Sequence, residues 1–576
     1  MKLRNKKWVL IPAVVLAFFM FAFFSVNGQS ENQQPGPGLT GFVKDHQDQP
    51  IQGATVSIAD TSAANQDTEP DQADGLISAE TQADGSFLLN VSEKLSVGQE
   101  LMVERVHFET VKIPLNGGQV GLLNNGETVY LQDVVLVRQI SPAFWIATIV
   151  FVVVLVLIAL GWLHNTLSAL VGAALIFAVS YLGPLFRADL YIFNFNTAMK
   201  YIDWNVIFLI MGMMIVIAVV ERTGVFQWMA LMAYKLSGGR IWLLLTILMV
   251  ITGVSSAFLD NVTTMLLMTP ITVQIALSLG INPLALLVPE VFASNVVGII
   301  TLIGTPTNIL IGSYARISFA DFMRNLSPGV LASLVGLILY SLWVYRKELI
   351  SNIDLEMADL LMEKLEKQAV INEPGNLKKV GVVGLGMVVL FITGEHMHML
   401  PSVTAIMGAA ALLVWIRPNV EEMIESVDWT TLVFFMTLFI CVGAIQEVGL
   451  ISFITDWIVK IVADNLLLAM LAIIWISAIL STVVANIPFT AAMLPVIGYL
   501  SKTIPSAHSK VLFYCLSVGS AMGGNGSLIG ASANMVTAGI AERAGYPITY
   551  TYFLKKGMPA LVITVGLATI WLLIRF

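Results

Sequence analysis

Residues 298–308 read Gly-Ile-Ile-Thr-Leu-Ile-Gly-Thr-Pro-Thr-Asn, and residues 524–534 read Gly-Asn-Gly-Ser-Leu-Ile-Gly-Ala-Ser-Ala-Asn. The two stretches share glycines at their first and seventh positions and end on the same asparagine. Each interrupts a long apolar segment with glycine and polar residues. Irregular backbone at membrane depth is tolerated only against protein or water. The pair therefore predicts two broken helices that line a hydrated site.

Matching residues separated by 225 to 231 positions extend through much of the chain. Phe322 and Pro328 match Phe553 and Pro559 at 231 residues. Chance does not hold a register through so many Asn, Gly and Pro positions, so the chain contains a duplicated unit. The pairs at 225 residues are Asp203 and Asp428, Gly224 and Gly449, Ser256 and Ser481, Asn261 and Asn486, and Pro270 and Pro495.

The composition places the duplicated unit in a membrane. Of the 576 residues, 57% are hydrophobic and 12% are charged, whereas a soluble domain carries about 25% charged residues. The net charge of −8 argues against a nucleic-acid partner. Cys441 and Cys515 both lie inside apolar runs, where they cannot staple an exported domain. Soluble multidomain proteins, disordered chains and disulfide scaffolds are thereby excluded.

Several apolar segments approach the roughly 20 residues that a transmembrane helix needs. Residues 241–279 and 466–500 are each long enough for two helices but contain polar clusters, which predicts two re-entrant hairpins. Residues 283–312 and 510–541 each form one broken span. The full-length candidates are residues 142–161, 165–185, 204–220, 328–345, 380–394, 401–416, 429–446 and 557–574.

Each repeat contains five predicted crossings if its hairpin counts as none. Because five is odd, the second repeat enters the membrane inverted relative to the first. The linker at residues 346–379 contains six lysine and arginine residues, which places it in the cytoplasm by the positive-inside tendency. The predicted fold is an α-helical polytopic membrane protein with two inverted repeats, residues 140–345 and 380–576, that contain re-entrant hairpins and broken helices. Halves related in this way open a midplane site to each side in turn.

Residues 1–28 run from a basic start into an apolar segment, which is typical of a signal peptide or a non-cleaved signal anchor. Either one sends residues 29–139 to the extracytoplasmic side. That region is polar, contains short strand patterns separated by Pro, Gly and Asp-Gly turns, and predicts a small all-β sandwich of about seven strands.

The sandwich carries a recognisable pattern of glycine, proline and valine. It reads Gly41-x-Val43-x-Asp45, then Pro50-Ile-x-Gly53-Ala-Thr-Val56, then Thr81-x-x-Asp84-Gly85-x-Phe87. This pattern resembles the carboxypeptidase-regulatory-like domain. The resemblance implies a binding or stabilising module without catalysis, whose partner would be a cell-surface polymer or protein.

The membrane part also resembles a known family. Residues 256–270 read Ser-Ala-Phe-Leu-Asp-Asn-Val-Thr-Thr-Met-Leu-Leu-Met-Thr-Pro, and residues 289–295 read Pro-Glu-Val-Phe-Ala-Ser-Asn. With residues 304–308, these stretches resemble the ArsB/NhaD group of arsenite permeases and sodium/proton antiporters. The pigmentation P protein and citrate-transporter-like permeases are its relatives within the ion transporter superfamily. The resemblance implies an outer scaffold, a moving transport core and a homodimer formed through the scaffold.

By the same resemblance, the hairpin tips and the broken helices hold substrate and a coupling ion. This chain departs from close relatives in having Thr305 where they often carry a carboxylate. The substrate candidates are Asn261, Thr263, Thr264, Thr305, Thr307, Asn308, Asn486, Thr490, Ser532 and Asn534. The candidates for contact with Na⁺ are Asn261, Gly304, Asn308, Asn486, Gly530 and Asn534.

Two carboxylates lie within the predicted membrane region, where such groups are costly and usually functional. Asp260 adjoins the first hairpin tip, and Glu290 precedes the first break. Both are candidates for ion coupling. The glycines of the breaks are candidates for the same role, because a Cβ there would block close approach of backbone or ion: Gly298, Gly304, Gly524 and Gly530.

These features favour a secondary active transporter in the plasma membrane that moves a small anion or ion by alternating access. Coupling to Na⁺ or to H⁺ is left open, and so is a Na⁺/H⁺ antiporter of the same fold. A second class is a membrane sensor or assembly protein that acts through the exported β-domain. No enzyme is predicted, because the core contains no nucleophile with a base and no metal-ligand set. No cofactor is expected beyond the coupling ion, and membrane lipid is the expected surrounding.

Overall fold

The computed structural model describes residues 38–576 except 46–49, 59–76, 92–93, 97, 351–373, 463–464, 505–506 and 508–509. The chain forms two compact units, residues 1–139 and residues 140–576. The predicted signal segment, residues 1–28, and most of the predicted linker lie outside the described residues.

The first unit is a small β-domain with two four-stranded sheets. In one sheet β1 pairs with β4 antiparallel and with β7 and β8 in parallel. The other sheet has the order β3-β2-β5-β6, antiparallel throughout. The strands are β1 (Gly38–Asp45), β2 (Thr55–Ile58), β3 (Ile77–Glu80), β4 (Ser86–Asn90), β5 (Glu100–Glu104), β6 (Val111–Pro114), β7 (Val129–Tyr130) and β8 (Val134–Leu136).

Alternation along these strands buries one face of each sheet. Leu39, Phe87 and Val103 are buried in the resulting core, as the period of two predicts. The prediction of an all-β unit needs one correction, because helix α1 (Gly117–Asn124) follows β6. Asn116 and Gln119 close a capping box at its start, a local signal that the strand patterns concealed.

The second unit is helical and carries the membrane spans. Nine of its described helices, each at least 18 residues long, are apolar enough to cross a bilayer. In the first repeat the helices are α2 (Pro142–Leu160), α3 (Asn165–Leu182), α4 (Phe195–Tyr201), α5 (Trp204–Glu221), α6 (Val225–Ser237), α7 (Ile241–Phe258), α8 (Asn261–Ser278), α9 (Leu284–Val297), α10 (Pro306–Ala315) and α11 (Phe319–Val344).

The second repeat follows the same order of elements and confirms the predicted helical membrane fold. Its helices are α12 (Pro374–Thr393), α13 (Pro401–Ile416), α14 (Val420–Glu425), α15 (Trp429–Glu447), α16 (Leu450–Val462), α17 (Leu466–Leu480), α18 (Asn486–Thr503), α19 (Val511–Gly523), α20 (Ser532–Arg543) and α21 (Tyr550–Arg575).

Three spans begin earlier than predicted. Helix α11 starts at Phe319 rather than at 328, and α21 starts at Tyr550 rather than at 557. Ser318 and Thr549 cap these polar first turns, and each helix continues through an internal proline. Helix α12 likewise starts at Pro374 rather than at 380. The apolar window detected the spanning portion and missed the polar extension.

The packing follows the duplication. Helix α5 packs on α13, and its counterpart α15 packs on α3. Helix α8 packs on α20, while α18 packs on α10. Helices α7 and α9 pack together, as do α17 and α19, and α11 packs on α21. Each contact recurs with the repeats exchanged, which is what a pseudo-twofold axis requires.

The broken spans occupy the centre of this arrangement. Every residue from Ala285 to Val297 and from Val511 to Gly523 is buried. Helices α9 and α19 are therefore enclosed on all sides, and the polar groups on them must find partners within the protein.

Candidate functional site

Two helix breaks form the centre of the site. Helix α9 ends in a turn at Gly298–Ile300 and the chain resumes as α10 at Pro306. Helix α19 ends in a turn at Gly524–Gly526 and the chain resumes as α20 at Ser532. Both predicted broken helices are present.

One asparagine holds each break by two bonds to backbone carbonyls. Asn308 Nδ2 donates to the carbonyls of Ile299 at 2.9 Å and Thr301 at 2.8 Å. Asn534 Nδ2 donates to the carbonyls of Gly524 at 2.7 Å and Ser527 at 2.9 Å. The loop carbonyls would otherwise be buried without partners, so the two side chains fix the non-helical backbone.

The side-chain oxygens of the same two asparagines connect the repeats. Asn308 Oδ1 accepts a hydrogen bond from Ser517 Oγ of α19 at 2.6 Å. Asn534 Oδ1 accepts one from Asn295 Nδ2 of α9 at 2.9 Å. Each break is thus tied to the unbroken half of the other repeat's helix. The predicted residues Asn308 and Asn534 each bond to the broken span of the other repeat, and these two bonds define the polar centre.

Asn295 is the hub of the polar centre and is absent from the predicted set. Its Nδ2 also donates to Asn525 Oδ1 at 2.9 Å, and its Oδ1 accepts from Asn261 Nδ2 at 2.8 Å. The predicted residue Asn261 at the first hairpin tip is therefore joined to the breaks. The duplication could not reveal Asn295, because the residue 226 positions later is Ala521.

The hairpin tips end at the level of the breaks, as a re-entrant hairpin does. Thr301 Oγ donates to the carbonyl of Ala257 near the first tip. The amide of Asn486, which starts α18, donates to the carbonyl of Gly530 at 3.3 Å. The tips therefore contact the middle of the broken spans rather than the far surface.

The glycines of the breaks permit these contacts. A Cβ on Gly304 would lie 2.6 Å from the carbonyl oxygen of Ser256, and one on Gly530 would lie 2.8 Å from that of Ser481. A Cβ on Gly298 would lie 2.9 Å from Thr305 Cγ2, and Gly524 is similarly close to residue 531. Close packing explains all four glycines sterically, and their role in ion coupling stays a prediction.

The helix starts in the two repeats differ in capping. Asp260 caps α8 by accepting from the amides of Val262 and Thr263, both at 2.9 Å, and Thr263 Oγ donates to the same carboxylate. Thr305 caps α10. In the second repeat, Ala485 and Ala531 occupy these positions and no side chain caps α18 or α20. Helix starts without a side-chain cap carry partial positive charge at their amides.

The remaining predicted residues lie around these starts. Thr305 and Thr307 share a hydrogen bond of 3.0 Å, and Thr490 donates to the carbonyl of Asn486 at 2.7 Å. Thr264 is buried and its hydroxyl has no partner among the described residues. Ser532 is half-buried at the first turn of α20.

Glu290 lies apart from the asparagines, two helical turns before the first break. Its Oε1 accepts from Thr252 Oγ at 3.3 Å and from Thr272 Oγ at 3.1 Å. The residue is fully buried, and Oε2 has no partner in the described part of the chain. The first repeat therefore holds a second polar site, which its own duplicate lacks.

Other features do not join the site. Between 38 and 576, outside the gaps in the description, no three His, Cys, Asp or Glu side chains form a group that could hold a metal. A cavity of about 360 Å³ lies elsewhere and contains none of the predicted site residues. It is lined by Val219, Arg222, Thr223, Asn376, Ile416, Arg417 and Pro418.

Sequence similarity extends over the membrane unit. Residues 155–513 match the profile of the citrate transporter family, CitMHS. An uncharacterized transporter of Mycobacterium tuberculosis is 36% identical over 437 residues, covering 75% of this chain and 98% of that protein. A 46 kDa membrane protein of Mycobacterium leprae is 36% identical over 432 residues, with the same coverage of both chains. The human P protein is 31% identical over 508 residues, covering 74% of this chain and 59% of its own.

Proposed function

Because the chain belongs to the citrate transporter (CitMHS) family, and is thus a multi-pass membrane transporter, we propose that it is a secondary active transporter for a small anion. The substrate moves by alternating access through the polar centre formed by the two helix breaks, and a gradient of Na⁺ or H⁺ drives it. The protein acts in the plasma membrane with its β-domain on the extracytoplasmic side. It functions as a homodimer joined through the scaffold helices.

The observation that carries this proposal is the reciprocal bonding of the breaks. Asn308 is bound by Ser517, and Asn534 by Asn295. Both bonds cross between the repeats at the only places where the buried helices are irregular within the described chain. A rotation of one repeat against the other would break or re-form these bonds and move the site between the two faces.

The difference in capping favours an anion. Helices α18 and α20 begin without side-chain caps, so their amide ends attract negative charge. Asn486, Thr490 and Ser532 add neutral hydrogen-bonding groups. No basic residue occurs within α8, α10 or α18 up to its last turn, so an anion would be bound by amides, hydroxyls and the coupling ion.

Cation/proton antiport is the second candidate, and the carboxylates favour it. Asp260 and Glu290 both lie in the first repeat, away from the uncapped starts. An antiporter would use them for alternate binding of Na⁺ and H⁺ and would need no anion. Sodium contact through Asn261, Gly304, Asn308, Asn486, Gly530 and Asn534 belongs to either mechanism.

The test is flux into liposomes that contain the purified protein. Uptake of labelled citrate, phosphate or arsenite is measured with and without Na⁺ and pH gradients, together with ²²Na⁺ flux. Anion uptake that Asn261→Ala abolishes supports the proposal, provided that the exposed cap variant Asn282→Ala transports normally. Sodium flux without uptake of any anion would show antiport instead. Full anion flux in Asn261→Ala would remove the assigned site.

A further inference from the structure

The carboxyl of Glu290 is enclosed between helices α7, α8 and α9. Thr252 of α7 and Thr272 of α8 both donate to Oε1, at 3.3 and 3.1 Å, while Oε2 is unpartnered. The side chain is 0% exposed. Buried carboxylates normally have partners for both oxygens, so the bare Oε2 marks a position where something binds.

The duplication shows that the fold does not require this carboxyl. Ser256 Oγ donates to the carbonyl of Ser294 at 3.0 Å, and Ser481 Oγ donates to that of Ser520 at 2.6 Å. These equivalent bonds fix the register between the repeats. In that register Glu290 corresponds to Leu516, Thr252 to Ser477 and Thr272 to Ile497.

The second repeat therefore packs the same helices without the acid. The hydroxyl of Ser477 is buried there without a partner, as expected where leucine replaces the group that it would bind. An apolar residue serves the packing at this position. Glu290 is thus retained in the first repeat despite the cost of burying it.

No charge in the described chain offsets that of an ionised Glu290. Helices α7 and α8 contain no ionisable side chain, and within the described chain the side chains that bond to the carboxyl are Thr272 and Thr252. Helix α19 brings Tyr514 and Cys515, which are neutral. The charged residues of the other helices that pack on α9 form no ion pair with it; they are Asp321, Arg324, Glu542, Arg543, Lys555, Lys556 and Arg575.

A row of two serine hydroxyls lies on α7 and α9 between the level of Glu290 and the first break. One helical turn along the contact between α7 and α9, Ser294 Oγ donates to Ser256 Oγ at 3.0 Å. A Cβ on Gly298 would lie 3.0 Å from that same Ser256 Oγ. Hydroxyls both donate and accept, so this row offers a path for a proton.

We propose that Glu290 is the residue that binds and releases one proton in each transport cycle, and that the hydroxyls of Ser294 and Ser256 lie on the route of this proton to the first break. This inference rests on the proposed function. The two threonines hold Oε1, and the proton binds at Oε2. With the proton bound, the Glu290 carboxyl is neutral and moves with the transport core. With the proton released, the carboxylate is negatively charged.

The test uses the full-length protein in liposomes, with Glu290→Gln as a permanently neutral mimic. Uptake of citrate, phosphate or arsenite driven by a pH gradient should fall at least about tenfold in Glu290→Gln, together with substrate-dependent H⁺ flux. Exchange of labelled for unlabelled substrate at equal pH should stay within about twofold of wild type. The matched control is Ser477→Ala, at the equivalent position of the second repeat, which should retain both activities.

A second variant covers the case in which Glu290→Gln does not fold. Thr252→Val removes one donor to the ionised carboxylate, so the pH at which uptake is half-maximal should move to a higher value. An unchanged pH profile, or pH-driven uptake that persists in Glu290→Gln, overturns the inference. Uptake that depends on Na⁺ at fixed pH also overturns it. Wild-type protein that moves none of the anions would refute the proposed function itself, whereas wild-type exchange without H⁺ flux would refute only the role of Glu290.

Discussion

Asn295 in the first repeat donates a hydrogen bond of 2.9 Å to Asn534 in the second, although the two residues are 239 positions apart. Asn534 in turn fixes the carbonyls of its own break. A change in the position of α9 is therefore transmitted directly to the second break. The first repeat's broken span and the second break cannot move independently while this bond exists.

Replacing Asn295 should disable transport more than it destabilises the fold. Asn295→Ala leaves Asn261, Asn525 and Asn534 each without one bond. Interhelical hydrogen bonds in membranes contribute about 0.6 kcal/mol each on average, so we expect a loss of about 2 kcal/mol in thermal unfolding. Anion uptake should be undetectable. Asn282→Ala, which removes an exposed cap at the start of α9, should keep normal uptake; equal uptake by both variants would contradict the role of the hub.

The bond between Ser517 and Asn308 should control the rate of the conformational change. Ser517→Ala removes the hydroxyl that donates to Asn308 Oδ1. The bonds that Asn308 makes through Nδ2 are not touched by this change. The maximal uptake rate should fall roughly tenfold, with little change in the substrate concentration for half-maximal uptake. Ser520→Ala is the matched control, because Ser520 is equally buried on the same helix. Its hydroxyl bonds within that helix, to the carbonyl of Ser517. A wild-type rate in Ser517→Ala would show that the reciprocal bond is not used.

Adding a cap to the second hairpin should distinguish an anion site from a cation site. Ala485 corresponds to Asp260, and α18 begins without a side-chain cap. Ala485→Asp would stabilise the helix by about 1 kcal/mol while placing a negative charge where we expect the substrate anion. Half-maximal uptake should then need at least about tenfold more substrate.

A neutral cap provides the comparison for this change. Ala485→Ser restores a hydrogen bond to the helix start without a charge, so its uptake should remain close to wild type. Unchanged uptake in Ala485→Asp would place the anion elsewhere. Improved Na⁺ flux in that variant would favour the antiport alternative.

The sequence predicted the architecture well because membrane burial and duplication leave strong patterns. The register between residues 298–308 and 524–534 located both breaks to the residue, and the hairpins follow from polar clusters inside apolar runs. Short helices such as α6 and α16 were missed, since their mixed composition resembles that of loops. The polar starts of α11 and α21 were missed for the same reason.

The asparagines of the polar centre were predicted only where they are duplicated. Asn261, Asn308 and Asn534 were singled out because each has a counterpart; the structure joins Asn261 to Asn534 through Asn295 and bonds Asn308 to Ser517. Asn295 and Ser517 have no polar counterpart, so the repeat pattern could not single them out. Their partners lie more than 200 residues away in the chain, and only the fold reveals such contacts.

The first break should tolerate no side chain at Gly304. A Cβ there would overlap the carbonyl of Gly298 and lie 2.6 Å from that of Ser256, and both obstacles are backbone atoms that cannot rotate away. Gly304→Ala must therefore separate the hairpin tip from the break, which removes the contact of α8 with the polar centre. We expect loss of anion uptake and a lower unfolding temperature in detergent.

Gly539→Ala is the matched control, because a Cβ at that position in α20 meets nothing within 4 Å and alanine favours a helix by about 1 kcal/mol. That variant should transport normally and unfold at the same or a higher temperature. Normal transport by Gly304→Ala would mean that the tip need not touch the break, and the substrate site would then have to lie elsewhere.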